Sequence, residues 1–303
     1  MSYNLITILG PTAVGKTKLA AQLANEFNGE IISADSRQVY KGMDIGTGKD
    51  LDDYKIKGKT VLYHLIDVIS PREEFDLYKF VNLFHQSYKD INSRNRIPFL
   101  VGGTGLYLHS ILSNYQLIDV DFNSERAKEL LALDESELRE ILLQKKSTFH
   151  NTTDLLDKER IVKAILISES TKENEIKNKI SSLTIGIYLE RSVIKNRITE
   201  RLKSRLKNGM IEEVKELLHN GISHDKLQFF GLEYKYISLF IKGELSYNDM
   251  FQKLNSAIHN FAKRQMTWFR KMEREGIKIH WIEGADYDKA NRIITNEFFG
   301  ENI

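Results

Sequence analysis

The chain has 303 residues, 41% of them hydrophobic and 28% charged, with a net charge of +2 and no cysteine. That length accommodates one large or two ordinary domains around a sizeable core. The missing cysteines exclude disulfides, thiolate metal sites and cysteine nucleophiles. No apolar run is long enough to span a membrane.

The start, Met1-Ser2-Tyr3-Asn4, leads into an apolar strand with no basic leader, so a cytoplasmic location is expected. That strand, Asn4–Leu9, runs into Gly10-Pro11-Thr12-Ala13-Val14-Gly15-Lys16-Thr17. The spacing G-x-x-x-x-G-K-T is that of a phosphate-binding loop, of the kind that holds ATP and other nucleotides. Its amides curl toward an anion, Lys16 adds a positive charge, and Thr17 offers a hydroxyl to Mg²⁺. A helix is predicted over Lys16–Phe27, with Leu19, Ala20, Leu23, Ala24 and Phe27 on one face, ended by Asn28-Gly29.

Glu30–Ala34 reads as a second strand and delivers Asp35. A carboxylate there is a general base, a Mg²⁺ holder through water, or a turn-capping residue. Asp44–Lys49 is Gly-rich and reads as a loop or a second anion contact. Val61–Ile66 is a third apolar run, Phe75–Ile91 a helix and Ile97–Val101 a strand. Gly102-Gly103-Thr104-Gly105 follows at once. Either its glycines admit a ligand and Thr104 presents a hydroxyl, or the glycines serve packing and Thr104 caps a helix.

This β-α-β order predicts an α/β fold, a parallel sheet flanked by helices that carries the phosphate loop, Asp35 and Thr104 on one rim. Residues 114–158 differ in character, with helical pieces at Arg126–Leu133 and Glu137–Gln144, and read as a small helical insert. The core is then expected over 1–113 and 159–303.

Beyond the insert, Leu183–Leu189 reads as a strand and Ile194–Leu218 as a long helix interrupted or bent near Asn208-Gly209. Arg197, Arg201 and Arg205 recur at i, i+4, i+8, as a phosphate-binding row or as a solvated face. Ser246–Glu275 is a second long helix, with Phe261, Trp268 and Met272 expected in the core and Lys263, Arg264 and Arg270 facing out. Ile277–Ile282 closes the pattern as a strand. Arg191 to Arg274 holds 17 basic against 9 acidic residues, an excess compatible with a polyanionic partner.

Taken in order, Gly10–Thr17, Asp35–Tyr40 running on to Asp44-Ile45-Gly46-Thr47, Tyr63-His64-Leu65-Ile66-Asp67, Gly102–Tyr107 and Lys263–Arg270 resemble the tRNA dimethylallyltransferase (tRNA isopentenyltransferase) family. The resemblance covers nearly the whole chain and is weakest between Asn114 and Lys158. It implies transfer of a dimethylallyl group from dimethylallyl diphosphate to N6 of the adenosine 3′ of a tRNA anticodon, with Mg²⁺. On that reading the loop holds a departing diphosphate, assisted by Lys16 and Arg201. Asp35 is the base and Thr104 fixes the amine. The family's tRNA contacts fall on Asp35, Ser36, Arg37, Gln38, Thr104, Arg126, Glu159, Arg160, Ile161, Val162 and Lys163, and the insert clasps the anticodon stem. A monomer is expected.

The chain departs from the family pattern in four places. Gly46-Thr47-Gly48-Lys49-Asp50 replaces Gly-Thr-Ala-Lys-Pro, and Tyr63-His64 replaces His-His. The Asp-Pro-Ala and Asn-Asp pattern expected before Glu159-Arg160-Ile161-Val162-Lys163 is missing, and the insert is rather short. Two other readings stand beside this one. A small-molecule kinase would turn over ATP on the same loop, and a non-catalytic switch protein would bind tRNA without chemistry.

Overall fold

The computed structural model describes residues 3–115, 123–145, 158–169 and 179–300, with the Arg160 side chain outside what is described. In chain order, β1 (Leu5–Leu9), α1 (Lys16–Glu26) and β2 (Gly29–Ala34) come first. They are followed by a small hairpin of β3 (Lys55–Ile56) and β4 (Lys59–Thr60), then β5 (Tyr63–His64), α2 (Leu77–Ser93), β6 (Ile97–Gly102) and α3 (Gly105–Leu112). Next are α4 (Glu125–Ala132), α5 (Glu135–Lys145) and α6 (Lys158–Glu169). The remainder is β7 (Ser182–Tyr188), α7 (Arg191–Lys207), α8 (Met210–His219), α9 (His224–Phe229), α10 (Leu232–Ile241), α11 (Tyr247–Arg274), β8 (Ile279–Glu283) and α12 (Tyr287–Ile293).

Six strands form one parallel sheet in the order β5-β2-β6-β1-β7-β8. Every residue of β1 and β2 is buried, as expected where helices cover both faces of a parallel sheet. Leu19, Ala20, Leu23 and Ala24 pack α1 onto Ile6, Ile8, Ile31 and Phe99. Asp76 caps α2 by accepting the Lys79 amide at 2.9 Å, and Ser246 caps α11 through the Asp249 amide at 3.1 Å.

The register fixes the site. Ala34 and Leu9 both pair with Gly102, so β2, β6 and β1 end level and side by side. Asp35, Gly103 and Gly10 therefore leave three adjacent strands at one height on the carboxyl rim.

The long basic helix is interrupted where the sequence reading places the break: Gly209 takes a left-handed conformation (φ +99°) and turns the chain between α7 and α8. Other elements differ from that reading. Of the third apolar run only Tyr63 and His64 pair as an edge strand. Helices α9 and α10 are absent from the sequence reading.

The chain forms two compact units, Met1–Tyr115 with Lys179–Ile303, and Gln116–Asn178. The second contains α4, α5 and α6, so it reaches past the expected boundary at 158. Its own core explains this: Ile161, Val162 and Ile165 of α6 pack on Leu130, Leu138 and Leu142. Parts of the expected insert, 116–122 and 146–157, lie outside the described residues. Among the described residues no helix is long and apolar enough to cross a membrane.

Candidate active site

The three loops at the rim line a cavity of about 520 Å³, closed on its other side by α7, α10 and α11. Thr12, Ala13, Gly15, Lys16 and Thr17 contribute from the phosphate loop. A Cβ on Gly10 would lie 2.6 Å from the Ile187 carbonyl, and Gly15 sits at φ +91°. Both positions therefore demand glycine. Lys16 Nζ donates to the Pro11 carbonyl at 2.7 Å. Burial, then the nearby Arg201, lowers the Lys16 ammonium to about 7, against a smaller upward pull from Asp35.

Arg201 crosses the cavity from α7 and donates through Nη2 to Thr12 Oγ1. Burial and the neighbouring Arg205 bring it down to about 10, so it remains charged at neutral pH. Arg205 also lines the cavity, whereas Arg197 is exposed and does not. Of the predicted row of three arginines, two reach the site and the third is solvated.

Asp35 lines the cavity and accepts the Arg37 amide at 2.9 Å. Beside it, Ser36 N donates to Thr104 Oγ1 at 3.1 Å. Thr104 stands at the N-cap of α3 yet makes no side-chain cap bond. Its oxygen is instead occupied by Ser36, leaving its hydroxyl proton free to donate into the cavity. Gln38 is held between the Ser33 hydroxyl, which donates at 3.1 Å, and the Gly48 carbonyl, which accepts at 3.0 Å. Arg37 lies 5.1 Å from the centre of the half-exposed Phe229 ring. Gly102 and Gly103 admit β2 and Gln265 at close quarters, so here the packing reading holds.

Thr17 also lines this cavity, and its hydroxyl makes no hydrogen bond within the described residues. An uncommitted hard oxygen next to a phosphate cradle fits Mg²⁺, which is commonly held by few protein ligands and by substrate phosphates. Among the described residues no cluster of three His or carboxylate groups offers an alternative metal site.

Three residues at or beside the cavity escape the sequence reading. Gln265 on α11 is 7% exposed and joins the phosphate loop to the end of β6. Glu233 enters from α10, and burial holds its carboxyl above the usual range against the pull of Arg205 and Arg201. Glu213 on α8 ties down the loop at 44–46. Gln265 falls inside the Lys263–Arg270 motif, which gives it no role by itself, and no local pattern marks Glu233 or Glu213, whose partners lie far away in sequence.

The loop reading of Asp44–Lys49 holds against the anion-contact alternative: Lys49 is 1% exposed and its Nζ is spent on Asp44, Asp67 and the Tyr40 carbonyl. One expectation on α11 needs correction. Phe261 is 38% exposed and lines the cavity, while Trp268 packs on Gly105 and Met272 is buried. At the Tyr63-His64 departure, His64 Nε2 meets the buried Glu30 at 2.7 Å and Tyr63 packs against Tyr54, with ring centres 4.6 Å apart.

The remaining predicted residues belong to the helical unit. Arg126 is exposed and pairs with Glu169 and Glu129, each at 3.0 Å. Glu159 is exposed and Lys163 half-buried, while Ile161 and Val162 are fully buried. The last two thus have no side-chain surface to offer a ligand.

The sequence model of IPP transferase matches residues 38–272, and that of isopentenyl transferase matches residues 3–69. The chain belongs to the IPP transferase family. It is 51% identical over 287 residues to tRNA dimethylallyltransferase 1 of Geotalea daltonii, covering 94% of this chain and 92% of that one. It is 50% identical to the enzyme of the same name from Geotalea uraniireducens, covering 94% of each. Among solved structures, the tRNA isopentenylpyrophosphate transferase of Bacillus halodurans superposes with a TM-score of 0.70. The two are 32% identical, with 98% of this chain and 96% of that one covered. A eukaryotic dimethylallyltransferase acting on tRNA shares the fold at a TM-score of 0.77 and 23% identity, covering 99% of this chain and 80% of that one. The chain is therefore a prenyl-transferring member of this family, and these relatives lend no support to the kinase reading.

Proposed function

We propose that this IPP transferase carries out dimethylallyl transfer to tRNA in the single cavity described above. The observation that carries the reading is that Asp35 and Thr104 line the same 520 Å³ chamber as Lys16, Thr17 and Arg201. A proton acceptor and a diphosphate cradle thus face one reaction volume.

The adenosine 3′ of the anticodon leaves its stack and enters the chamber with its exocyclic amine toward Asp35 and Thr104. N6 attacks C1 of the dimethylallyl group. The N6–C1 bond forms, the C1–O bond breaks, and the electron pair leaves with diphosphate. Asp35 takes the proton from N6. The Thr104 hydroxyl orients the amine. Lys16, the loop amides from Gly10 to Thr17, and Arg201 receive the charge that grows on the leaving oxygens. Thr17 would hold Mg²⁺, which when bound neutralises diphosphate charge.

Ser36, Arg37 and Gln38 lie beside Asp35 and are assigned to the bound nucleotide. In the helical unit, Arg126, Glu159, Arg160 and Lys163 are assigned to the anticodon stem, with Ile161 and Val162 holding α6 in place for them. The residues assigned to the chemistry all belong to this one chain, which supports a monomer, and a tRNA substrate supports a cytoplasmic location. Incubation with Mg²⁺, dimethylallyl diphosphate and unmodified tRNA should yield N6-dimethylallyladenosine and diphosphate. Absence of product on a tRNA with adenosines through the anticodon region would contradict the reading.

A further inference from the structure

Glu213 is not among the residues lining the cavity and has no role in the chemistry above, yet its carboxylate takes four donors. Oε2 accepts the Asp44 and Ile45 amides at 2.7 Å each. Oε1 accepts the Gly46 amide at 3.0 Å and the Tyr234 hydroxyl at 2.8 Å. Three successive amides converging on one anion form a nest. Among the described residues no Lys, Arg or His forms an ion pair with Glu213, so backbone capture is its use.

The captured loop is a wall of the reaction chamber. Gly46, Thr47, Gly48 and Asp50 line it. The Gly48 carbonyl accepts Gln38 Nε2, and Asp50 pairs with Arg205 at 3.3 Å. A Cβ on Gly46 would lie 2.6 Å from the Tyr234 ring, so the loop, Tyr234 and Glu213 close on one another without slack. Arg205 stands in the last turn of α7 and Glu213 in the first turn of α8, joined through left-handed Gly209. One helix corner therefore grips the loop from both sides.

We propose that Glu213 is a positioning residue, a latch that sets the 44–50 loop so that Arg205 is held beside Arg201, facing the diphosphate. It touches neither substrate and acts through the loop. The proposal deepens the prenyl-transfer reading and rests on it.

Steady-state kinetics of Glu213→Ala and Glu213→Gln, with each substrate varied in turn, test the latch. The KM for dimethylallyl diphosphate should rise about tenfold or more while kcat changes less than about threefold. A groove of about 890 Å³ beside Glu213, lined by Asp44, Ile45 and Gly209, gives small carboxylates access. Millimolar acetate or formate should therefore restore much of the KM in Glu213→Ala, which a general loss of stability would not allow. A wild-type KM in either folded variant overturns the proposal, as does a raised KM that acetate leaves unchanged. If Glu213→Ala does not fold, Glu213→Gln alone decides by its KM. The wild-type control separates the two claims: no turnover there faults the function, whereas normal turnover with an unaffected variant faults the latch.

Discussion

The backbone amide of Thr12 donates to Gln265 Oε1 at 2.9 Å, across 253 residues of chain. The same side chain donates through Nε2 to the Gly103 carbonyl at 2.8 Å. One buried amide thus fixes the phosphate loop relative to the strand end that carries Thr104. Gln265→Leu would keep the volume and leave both backbone groups unpaired. It should lower stability by about 2–4 kcal/mol, the cost of two unsatisfied buried groups, as read by urea unfolding. It should also raise the KM for dimethylallyl diphosphate, because the loop loses its anchor.

Asp35→Asn keeps the Arg37 amide contact through its carbonyl oxygen while removing the proton acceptor. Its kcat should fall by about 10²–10⁴, with tRNA affinity nearly unchanged in a binding assay. An equal loss of binding and turnover would place Asp35 in recognition, and no loss of turnover would remove it from the chemistry.

Lys16 gives the site a pH signature. In the free protein burial and Arg201 lower its ammonium to about 7, so above that pH it is largely neutral. A bound diphosphate favours the ammonium and raises its pKa. Between about pH 7 and the ordinary lysine value, binding must then take up a proton, and affinity must fall as pH rises. Calorimetry of diphosphate binding in two buffers of different ionisation enthalpy should show this uptake at pH 8 to 9. Lys16→Ala should abolish it and slow prenyl transfer far more than it weakens tRNA binding.

Gly48 and Asp50, where the family carries Ala and Pro, both serve Arg205. Gly48 has φ +67°, and a Cβ there would overlap the Arg205 guanidinium, which Asp50 pairs. Gly48→Ala is therefore expected to displace Arg205 and raise the KM for dimethylallyl diphosphate in this chain. Its tRNA affinity should change less. An unchanged KM for both substrates would show that the guanidinium has room to move.

The parts of this site that are legible in sequence are those fixed by neighbours in the chain. Gly10–Thr17 is read from its spacing. Asp35 and Thr104 are read because each closely follows an apolar strand, and level strand ends bring them together. Arg201 stands out by helical recurrence, although that recurrence alone cannot say that Arg197 points away. Glu213 and Glu233 look ordinary in sequence, and Gln265 is marked only as part of the Lys263–Arg270 motif, because their roles lie in partners on other elements. Phe261 fits the apolar stripe of α11 but faces the cavity, since periodicity marks a helix face without saying what stands opposite. The reach of the helical unit through α6 depends on Ile161, Val162 and Ile165 finding Leu130 and Leu138, a long-range pairing that the polar composition of the insert conceals.

The most direct measurement is mass spectrometry of nucleosides from unmodified tRNA treated with the protein, Mg²⁺ and dimethylallyl diphosphate. The account predicts N6-dimethylallyladenosine at the position 3′ of the anticodon, with one diphosphate released per modified base and formation slowed by about 10²–10⁴ in Asp35→Asn. Unmodified adenosine, together with magnesium-dependent consumption of ATP, would contradict it.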